Sequence, residues 1–493
     1  MGMKRKWIAL LMAGSLLTGA GGTYAAMMFK LDITPSQPEE TKTESKTKEK
    51  SMQDFGIQEG NMDKIVQAYQ LIKGNYVEEV KEEKLVEGAI QGMLTKLDDP
   101  YSVYMDKEKA KQFSQALDSS FEGIGAEVSM VDGKIVIVAP FKDSPAEKAG
   151  IKPNDQILKV DGQSVDGLDL YEATLKIRGE KGTTVKLEIM RQGLNDPIII
   201  SVKRDEIPQI TVHSKIKEQD NKSVGYLEVT SFSEDTATEF KKQLNQLEEK
   251  NIDGLVIDVR GNPGGFLESV QEILKEFVTK DKPYMQIEKR NGEREKYYTT
   301  LGKEKPYPVA VLIDKGSASA SEILAGALQE AEGFTLIGEK TFGKGTVQQA
   351  VPMGDGSNIK LTLFKWLTPD GNWIHKKGIK PDLAVTQTEL YHTHPIQLKE
   401  PLKKDMNNEQ VKNAQQILIS LGYETSRKDG YFNEATETAV KAFQQENNLK
   451  STGVIDGKTA AALEQNVVKE LKKESNDLQL QAALKFIAQA VKQ

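Results

Sequence analysis

The chain has 493 residues, 38% of them hydrophobic and 28% charged. That balance fills the cores of roughly three domains of ~150 residues and excludes a polytopic membrane protein. Its 66 Lys and Arg stand against 73 Asp and Glu, a net charge of −7, so no basic excess exists to neutralise phosphates and nucleic acid is not an expected partner. Cysteine is absent and His occurs four times, which excludes thiol catalysis, disulfides and Cys-ligated zinc together.

Lys4, Arg5 and Lys6 precede an uncharged run from Trp7 to Phe29. Those 23 residues suffice to cross a ~30 Å hydrocarbon core as a helix, so residues 1–30 read as a signal anchor or a signal peptide. The basic end stays in the cytoplasm. The expectation is a single-pass protein of the cell membrane with its catalytic part extracytoplasmic, secreted if the segment is cleaved. Residues 31–54 (with TPSQPEETKTESKTKEK) are nearly devoid of apolar side chains and read as a disordered tether.

Residues 55–117 turn helical: Ile65, Ala68, Tyr69 and Ile72 share one face, then Leu85, Ala89, Met93 and Leu97 another. Asp98-Asp99-Pro100 ends the second helix. Over 118–205 the period shortens, with strands at Lys134–Val138 and Val185–Ile189 and a short helix near Leu168–Ile177. Across 206–390, strands (Val224–Val229, Leu255–Val259, Val309–Ile313, Thr335–Ile337) alternate with helices (Asp235–Glu248, Leu267–Phe277, Glu322–Ala331). That alternation predicts an α/β core with a central sheet. A polar linker, 391–406, leads to a three-helix module, 407–465, and an amphipathic helix ends the chain within 466–493. The fold class is multidomain α/β.

Chemistry concentrates in two segments. Val309–Ile313 runs into Asp314-Lys315-Gly316-Ser317-Ala318-Ser319-Ala320-Ser321-Glu322, small residues at a strand-to-helix turn whose free amides suit an anion. The second segment is Gly338-Glu339-Lys340-Thr341-Phe342-Gly343-Lys344-Gly345-Thr346-Val347-Gln348. Simpler readings exist for each. Ser319-x-x-Glu322 has the form of a capping box. Gly338-x-x-x-x-Gly343-Lys344 imitates a phosphate loop, but Gly345 stands where Ser or Thr would bind magnesium. Gly264-Gly265, after a buried strand, can be no more than a tight turn. His392-Thr393-His394 lacks the carboxylates or Cys of a metal site, so no metal is expected.

The serine run, the Gly-Lys-Gly-Thr-Val-Gln segment and Asp258-Val259-Arg260-Gly261-Asn262-Pro263-Gly264-Gly265 together resemble the C-terminal-processing (tail-specific) serine peptidases over about residues 60–390. The resemblance implies a serine endopeptidase in which Ser319 is the nucleophile, Lys344 the general base and Gln348 the third, orienting residue, with no cofactor. The chemistry is consistent: an ordinary lysine, pKa ~10.4, is only ~0.1% neutral near pH 7.4, so this base requires burial. A carboxylate partner would push it the wrong way. Gln348 is therefore expected to accept a hydrogen bond from Lys344, and Glu322 to point away from it. The amides of Ala320 and of the Gly264–Gly265 turn are the expected oxyanion donors.

Two flanking modules also resemble known ones. Phe121-Glu122-Gly123-Ile124-Gly125-Ala126, Ser144-Pro145-Ala146 and Asp155-Gln156-Ile157-Leu158-Lys159-Val160-Asp161-Gly162 look like a PDZ domain. That resemblance implies a loop, Gly123, Ile124, Gly125 and Ala126, that receives a substrate's free C-terminus, with Ile124 and Ala126 bordering the pocket for its last side chain. Arg178 matches an arginine common in the family and is a candidate gate, the alternative being a surface Arg paired with a Glu. In 407–465, Val411-x-x-Ala414-Gln415-x-x-Leu418 and Asp429-Gly430-Tyr431-Phe432 are similar to a peptidoglycan-binding domain, which implies cell-wall peptidoglycan as a partner. The family's N-terminal region often mediates dimers, so a homodimer is among the expected assemblies. The rival reading is a non-catalytic, wall-tethered PDZ scaffold. A cell-wall hydrolase would need a paired-carboxylate or zinc motif that the sequence lacks.

Overall fold

The computed structural model describes residues 61–491 except 132, 192–193 and 195. The expected anchor and tether, 1–54, lie outside the described residues. Among the described residues no helix is long and apolar enough to cross a membrane. Helices α1 (Asn61–Asn75) and α2 (Glu82–Thr95) bury no residue.

Strand β1 (Val103–Met105) and helix α3 (Lys107–Leu117) follow, then β2 (Ser120–Gly123). The PDZ-like unit comprises β3 (Ala126–Val131), β4 (Lys134–Pro140), α4 (Pro145–Lys148), β5 (Gln156–Val160), β6 (Gln163–Ser164), α5 (Leu170–Ile177), β7 (Thr184–Met190) and β8 (Ile198–Lys203). Its sheet runs β3-β4-β5-β7-β8, so β3 has a free edge. Strand β9 (Asp205–Pro208) pairs antiparallel with β2, and this ribbon carries the chain in and out of the unit.

The central sheet is built from β10 (Val212–Gln219), β11 (Lys222–Val229), β12 (Gly254–Asp258), β15 (Val309–Ile313), β16 (Thr335–Gly338) and β19 (Leu383–Ala384), in that order. From β11 onward every pairing is parallel. Helices α6 (Thr236–Glu248), α7 (Leu267–Leu274) and α8 (Ala320–Glu332) connect successive neighbours. Right-handed crossovers that always advance in one direction place all three helices on one face. Phe240, Leu244, Val270, Ile273 and Leu324 accordingly pack with Leu255, Ile257 and Val311 in one cluster.

The opposite face would be bare. The last helix, α12 (Leu478–Ala490), covers it: Leu480, Ala483, Leu484 and Ile487 pack on Val224, Tyr226, Val256, Ala310 and Leu312. Arg260 fastens the start of α12, donating to Asp258 and to both oxygens of Asp477. The tail expected as one helix is therefore broken. Helix α11 (Gly457–Leu471) stops, and Asp477 restarts the chain by capping α12 at Leu480.

A second, antiparallel sheet, not anticipated from sequence, contains β1, β13 (Met285–Glu288), β14 (Arg294–Tyr297), β17 (Thr346–Pro352) and β18 (Asn358–Leu367). The C-terminal module is α9 (Glu409–Ser420), α10 (Glu434–Glu446) and α11 around Val411, Leu418, Phe432, Phe443 and Leu463. The stretch expected as a solvated linker, 391–406, is part of it: Ile396 and Leu402 are buried in the same core, and Leu402 bridges Ile455. Scattered apolar residues among polar ones carry no period, which hid this packing.

Candidate active site

Strands β12 and β15 lie side by side and end together, so the loops after them meet. Asp314 binds them: its Oδ1 accepts the amides of Gly316 and, across the gap, Gly261. Ser317 Oγ donates to the Val259 carbonyl at 2.8 Å and Ser321 Oγ to the Asn262 carbonyl at 2.9 Å. Both serines are fully buried. The outer serines of the run thus join two loops, and the middle one, half-buried Ser319, is left for chemistry.

Ser319 has φ 55° and ψ −113°, a left-handed conformation that costs a non-glycine residue on the order of 1–3 kcal/mol. A strand-to-helix turn strained in this way is how nucleophile elbows present a hydroxyl. What holds it is Glu322. Its carboxylate, fully buried, accepts four donors: the amides of Ser319 (2.9 Å) and Lys344 (2.8 Å) at Oε2, and Thr341 Oγ1 (2.6 Å) and the Gly343 amide (2.7 Å) at Oε1. The expectation that Glu322 turns away from Lys344 is corrected: it binds the lysine's backbone. The ammonium is not among its hydrogen-bond partners.

The Lys344 loop is held from the other side too. Trp366 Nε1 donates to the Lys344 carbonyl and Trp373 Nε1 to that of Gly345. The amine lies 5.3 Å from the centre of the Tyr101 ring. Its pKa is pushed down to about 8, chiefly by burial and next by the charge of Lys360, against the opposite pull of Glu322 and Asp99. No hydrogen bond joins this amine to the Ser319 hydroxyl among the described residues. Catalytic bonds are often loose before substrate binds.

Gln348 lies on β17, but the bond expected from Lys344 is absent. Its amide nitrogen donates to Thr346 Oγ1 (2.9 Å) of its own strand and to Thr362 Oγ1 (3.1 Å) of β18, which a register shift after Val347 sets opposite it. The glycine turn is also refined. The Gly264 amide is taken by Asn262 Oδ1 at 2.8 Å and is no free oxyanion donor. The amides of Gly265 and Ala320 have no partner among the described residues. Side chains are excluded here: a Cβ on Gly264 (φ 103°) would lie 2.8 Å from that of Ser319, and one on Gly265 (φ 149°) 2.0 Å from the Phe232 carbonyl oxygen.

In the PDZ-like unit, Gly125 (φ 71°) permits a turn where a Cβ would meet Ser144 at 2.6 Å. Ile124 is buried in the unit's core, and Ala126 is half-buried against that core at the start of edge strand β3. Gly123 pairs with Asp205 in the connecting ribbon. Arg178 makes no ion pair among the described residues. Its guanidinium stacks 4.6 Å from the Phe121 ring centre, beside Gly123.

Sequence reasoning missed the surroundings of Lys344. Asp99 accepts the Tyr101 amide and the Ser102 hydroxyl, and Ser102 Oγ in turn accepts the Thr362 amide. These bonds seat Tyr101 over the lysine. His375 meets Tyr101 edge-on and stacks on Trp373. Only the run Asp98-Asp99-Pro100-Tyr101-Ser102 offered a signal, and nothing in it pointed to a residue more than two hundred positions away.

The Peptidase family S41 model matches residues 223–385, a PDZ domain model 123–202 and a peptidoglycan-binding domain model 407–463. The model of the activating protease CtpB N-terminal domain matches 16–109. The carboxy-terminal processing protease CtpB of Bacillus subtilis (strain 168) is 57% identical over 486 residues, 98% of this chain and 99% of the relative. CtpA of the same organism is 44% identical, covering 87% and 91%. Among solved structures, the photosystem II D1 C-terminal processing protease is similar at 25% identity and TM-score 0.41, over 65% of this chain and 92% of that one.

Proposed function

Since the chain belongs to the carboxy-terminal processing serine peptidases of family S41, we propose that it captures free protein C-termini with its PDZ domain and cuts them through a Ser319–Lys344 dyad. Ser319 Oγ attacks the scissile carbonyl and passes its proton to the neutral Lys344 amine. The amides of Ala320 and Gly265 receive the oxyanion. Lys344 then protonates the leaving amine, and water, activated by the freed base, hydrolyses the Ser319 ester. Gln348 holds the strand behind the base through its two threonines.

The observation that carries this reading is the shared oxygen of Glu322. Two backbone nitrogens bonded to it lie no more than 5.7 Å apart, the sum of the two bonds. Side chains of serine and lysine can meet from that spacing. A resting site in which Ser319 and Lys344 are not yet hydrogen-bonded is tightened by substrate, with Arg178 as the sensor of an occupied PDZ loop. The free edge of β3 accepts the peptide as an added strand. The C-terminal module suits peptidoglycan. The basic flank and apolar run at 4–29 support an extracytoplasmic location, anchored or secreted, and the N-terminal helices support a homodimer.

The test is covalent trapping. Full-length protein treated with a serine-directed fluorophosphonate should carry the label on Ser319. Lys344→Met should abolish both labelling and casein degradation. Labelling elsewhere, or full activity of Lys344→Met, would refute the dyad.

A further inference from the structure

Tyr101 stands two residues before β1, and its ring centre lies 5.3 Å from the Lys344 amine. The backbone around it is tied to β18. Asp99 accepts the Tyr101 amide at 3.1 Å and the hydroxyl of buried Ser102 at 2.6 Å, and Ser102 Oγ accepts the Thr362 amide at 3.0 Å. Thr362 is also the residue that receives Gln348, at 3.1 Å. From the other side His375 meets the ring edge-on, 6.3 Å between centres, and stacks on Trp373, which donates to the Gly345 carbonyl. The next amide, that of Lys376, donates to the Gly343 carbonyl at 2.8 Å. One aromatic ring is thus gripped between the strand that Gln348 bonds and a loop bonded to both neighbours of the base. Its own hydroxyl has no hydrogen-bond partner among the described residues.

We propose that Tyr101 is a positioning residue for the reaction, a fastened ring that confines the Lys344 amine and keeps water from it. This inference rests on the dyad reading above. Lysine carries a strongly hydrated amine on a flexible four-carbon stem, whereas a base must be held in place and stripped of that water. The contact has two opposed consequences. A ring face attracts an ammonium, which favours the charged form. The same ring displaces water from the amine, which favours the neutral form, and burial is the first cause of the lowered Lys344 pKa. Displacement of water therefore outweighs attraction. The charged and titratable groups about the pair are Glu322 from α8, Asp99 beside Tyr101, Lys360 from β18 and His375 from the loop after β18. Replacing the ring leaves all four in place. A hydroxyl without a partner adds nothing to this grip, so the ring and not the phenol is the working part.

The test compares Tyr101→Ala, Tyr101→Phe and Ser102→Ala in the full chain. Each is labelled with a serine-directed fluorophosphonate across a range of pH, and two quantities are read. The final extent counts folded sites, and the rate constant reports the reactivity of Ser319 within them. Tyr101→Ala should reach the wild-type extent about tenfold more slowly at pH 7.5, with the midpoint of its pH profile about one unit higher. On a short peptide the loss should fall in kcat with KM nearly unchanged. Tyr101→Phe keeps the ring and should stay within about twofold of wild type at the wild-type midpoint. Ser102→Ala keeps the ring but cuts its tie to Thr362, and should move rate and midpoint the same way by a smaller factor; it decides the matter if Tyr101→Ala does not fold. A reduced extent with an unchanged rate constant, an unmoved midpoint in Tyr101→Ala, or a Tyr101→Phe variant as slow as Tyr101→Ala overturns the proposal. Labelling of Lys344→Met would instead sink the dyad itself, which separates the two failures.

Discussion

The backbone amides of Ser319 and Lys344 donate to one and the same oxygen of Glu322, at 2.9 and 2.8 Å. They stand twenty-five positions apart in the chain, with all of α8 and β16 between them. The spacing of Ser319 and Lys344 is therefore set by one buried carboxylate in the first turn of a helix.

Glu322→Gln should consequently disable the enzyme without touching either reacting group. A glutamine presents an NH2 group where two donors already converge, leaving a buried donor unmatched. The expected loss is about 3 kcal/mol of stability and at least ~100-fold in kcat, since displacements of ~1 Å suffice for that. Thermal unfolding together with single-turnover kinetics checks both. Normal kcat in a folded variant would show that the clamp is incidental.

The Lys344 pKa fixes a pH profile and a stability profile of definite sign. As the base must be neutral, kcat/KM should rise with pH through a midpoint near 8. For stability, the folded pKa, about 8, lies below the ordinary 10.5. Below pH 8 the amine is protonated in both states and burying it costs the fold up to ~3 kcal/mol. Between 8 and 10.5 the unfolded chain binds the extra proton, so stability from this group rises with pH. Lys344→Met should thus be more stable than wild type at pH 7, and the difference should shrink as pH approaches 10.5. A pH-independent difference in melting temperature would contradict the assigned burial.

Strain at Ser319 gives a third expectation. Both Ser319→Ala and Ser319→Gly remove the nucleophile and should be inactive. Only glycine relieves the left-handed backbone, so Ser319→Gly should be about 1 kcal/mol more stable than Ser319→Ala. Equal denaturation midpoints for the two would mean that the φ of 55° stores no strain.

Helix α12 should behave as part of the peptidase core. Ile487 is fully buried, and a Cβ placed on Gly254 of β12 would come within 2.3 Å of it. Ile487→Ala should cost ~2–4 kcal/mol and lower the unfolding transition that carries peptidase activity. If only the C-terminal three-helix module loosened, the helix would belong to that module instead.

Arg178 stacks on Phe121 beside the PDZ entrance, a contact worth only ~0.5–1 kcal/mol at an exposed site. Arg178→Ala should leave the melting temperature nearly unchanged while lowering turnover of long substrates severalfold. Unchanged kinetics on casein would remove the gating role.

Much of this molecule is legible along the chain. Strands such as Val309–Ile313, apolar on both faces, announce a parallel sheet, and Ser319 declares itself by standing among small residues where a strand turns into a helix. The part that had to be corrected shares one property. Glu322 and Gln348 were each assigned a hydrogen-bond partner or direction from their own segment, and each bonds differently because another segment arrives, the 341–344 loop and β18; the Gly264 amide is instead taken by the side chain of Asn262, two residues before it. Nothing local to either residue pointed to the meeting of Tyr101 with Lys344.

Sequence by itself determined most elements of the central sheet and its helices and picked out Ser319 and Lys344 as candidates, since periodicity, turn chemistry and residue type are local properties. Tertiary structure alone decided the surroundings of the Lys344 amine. Its burial, the charge of Lys360 and the hold of Glu322 on its backbone depend on distances in space between residues far apart in the chain, and a pKa responds to those distances rather than to neighbours in sequence.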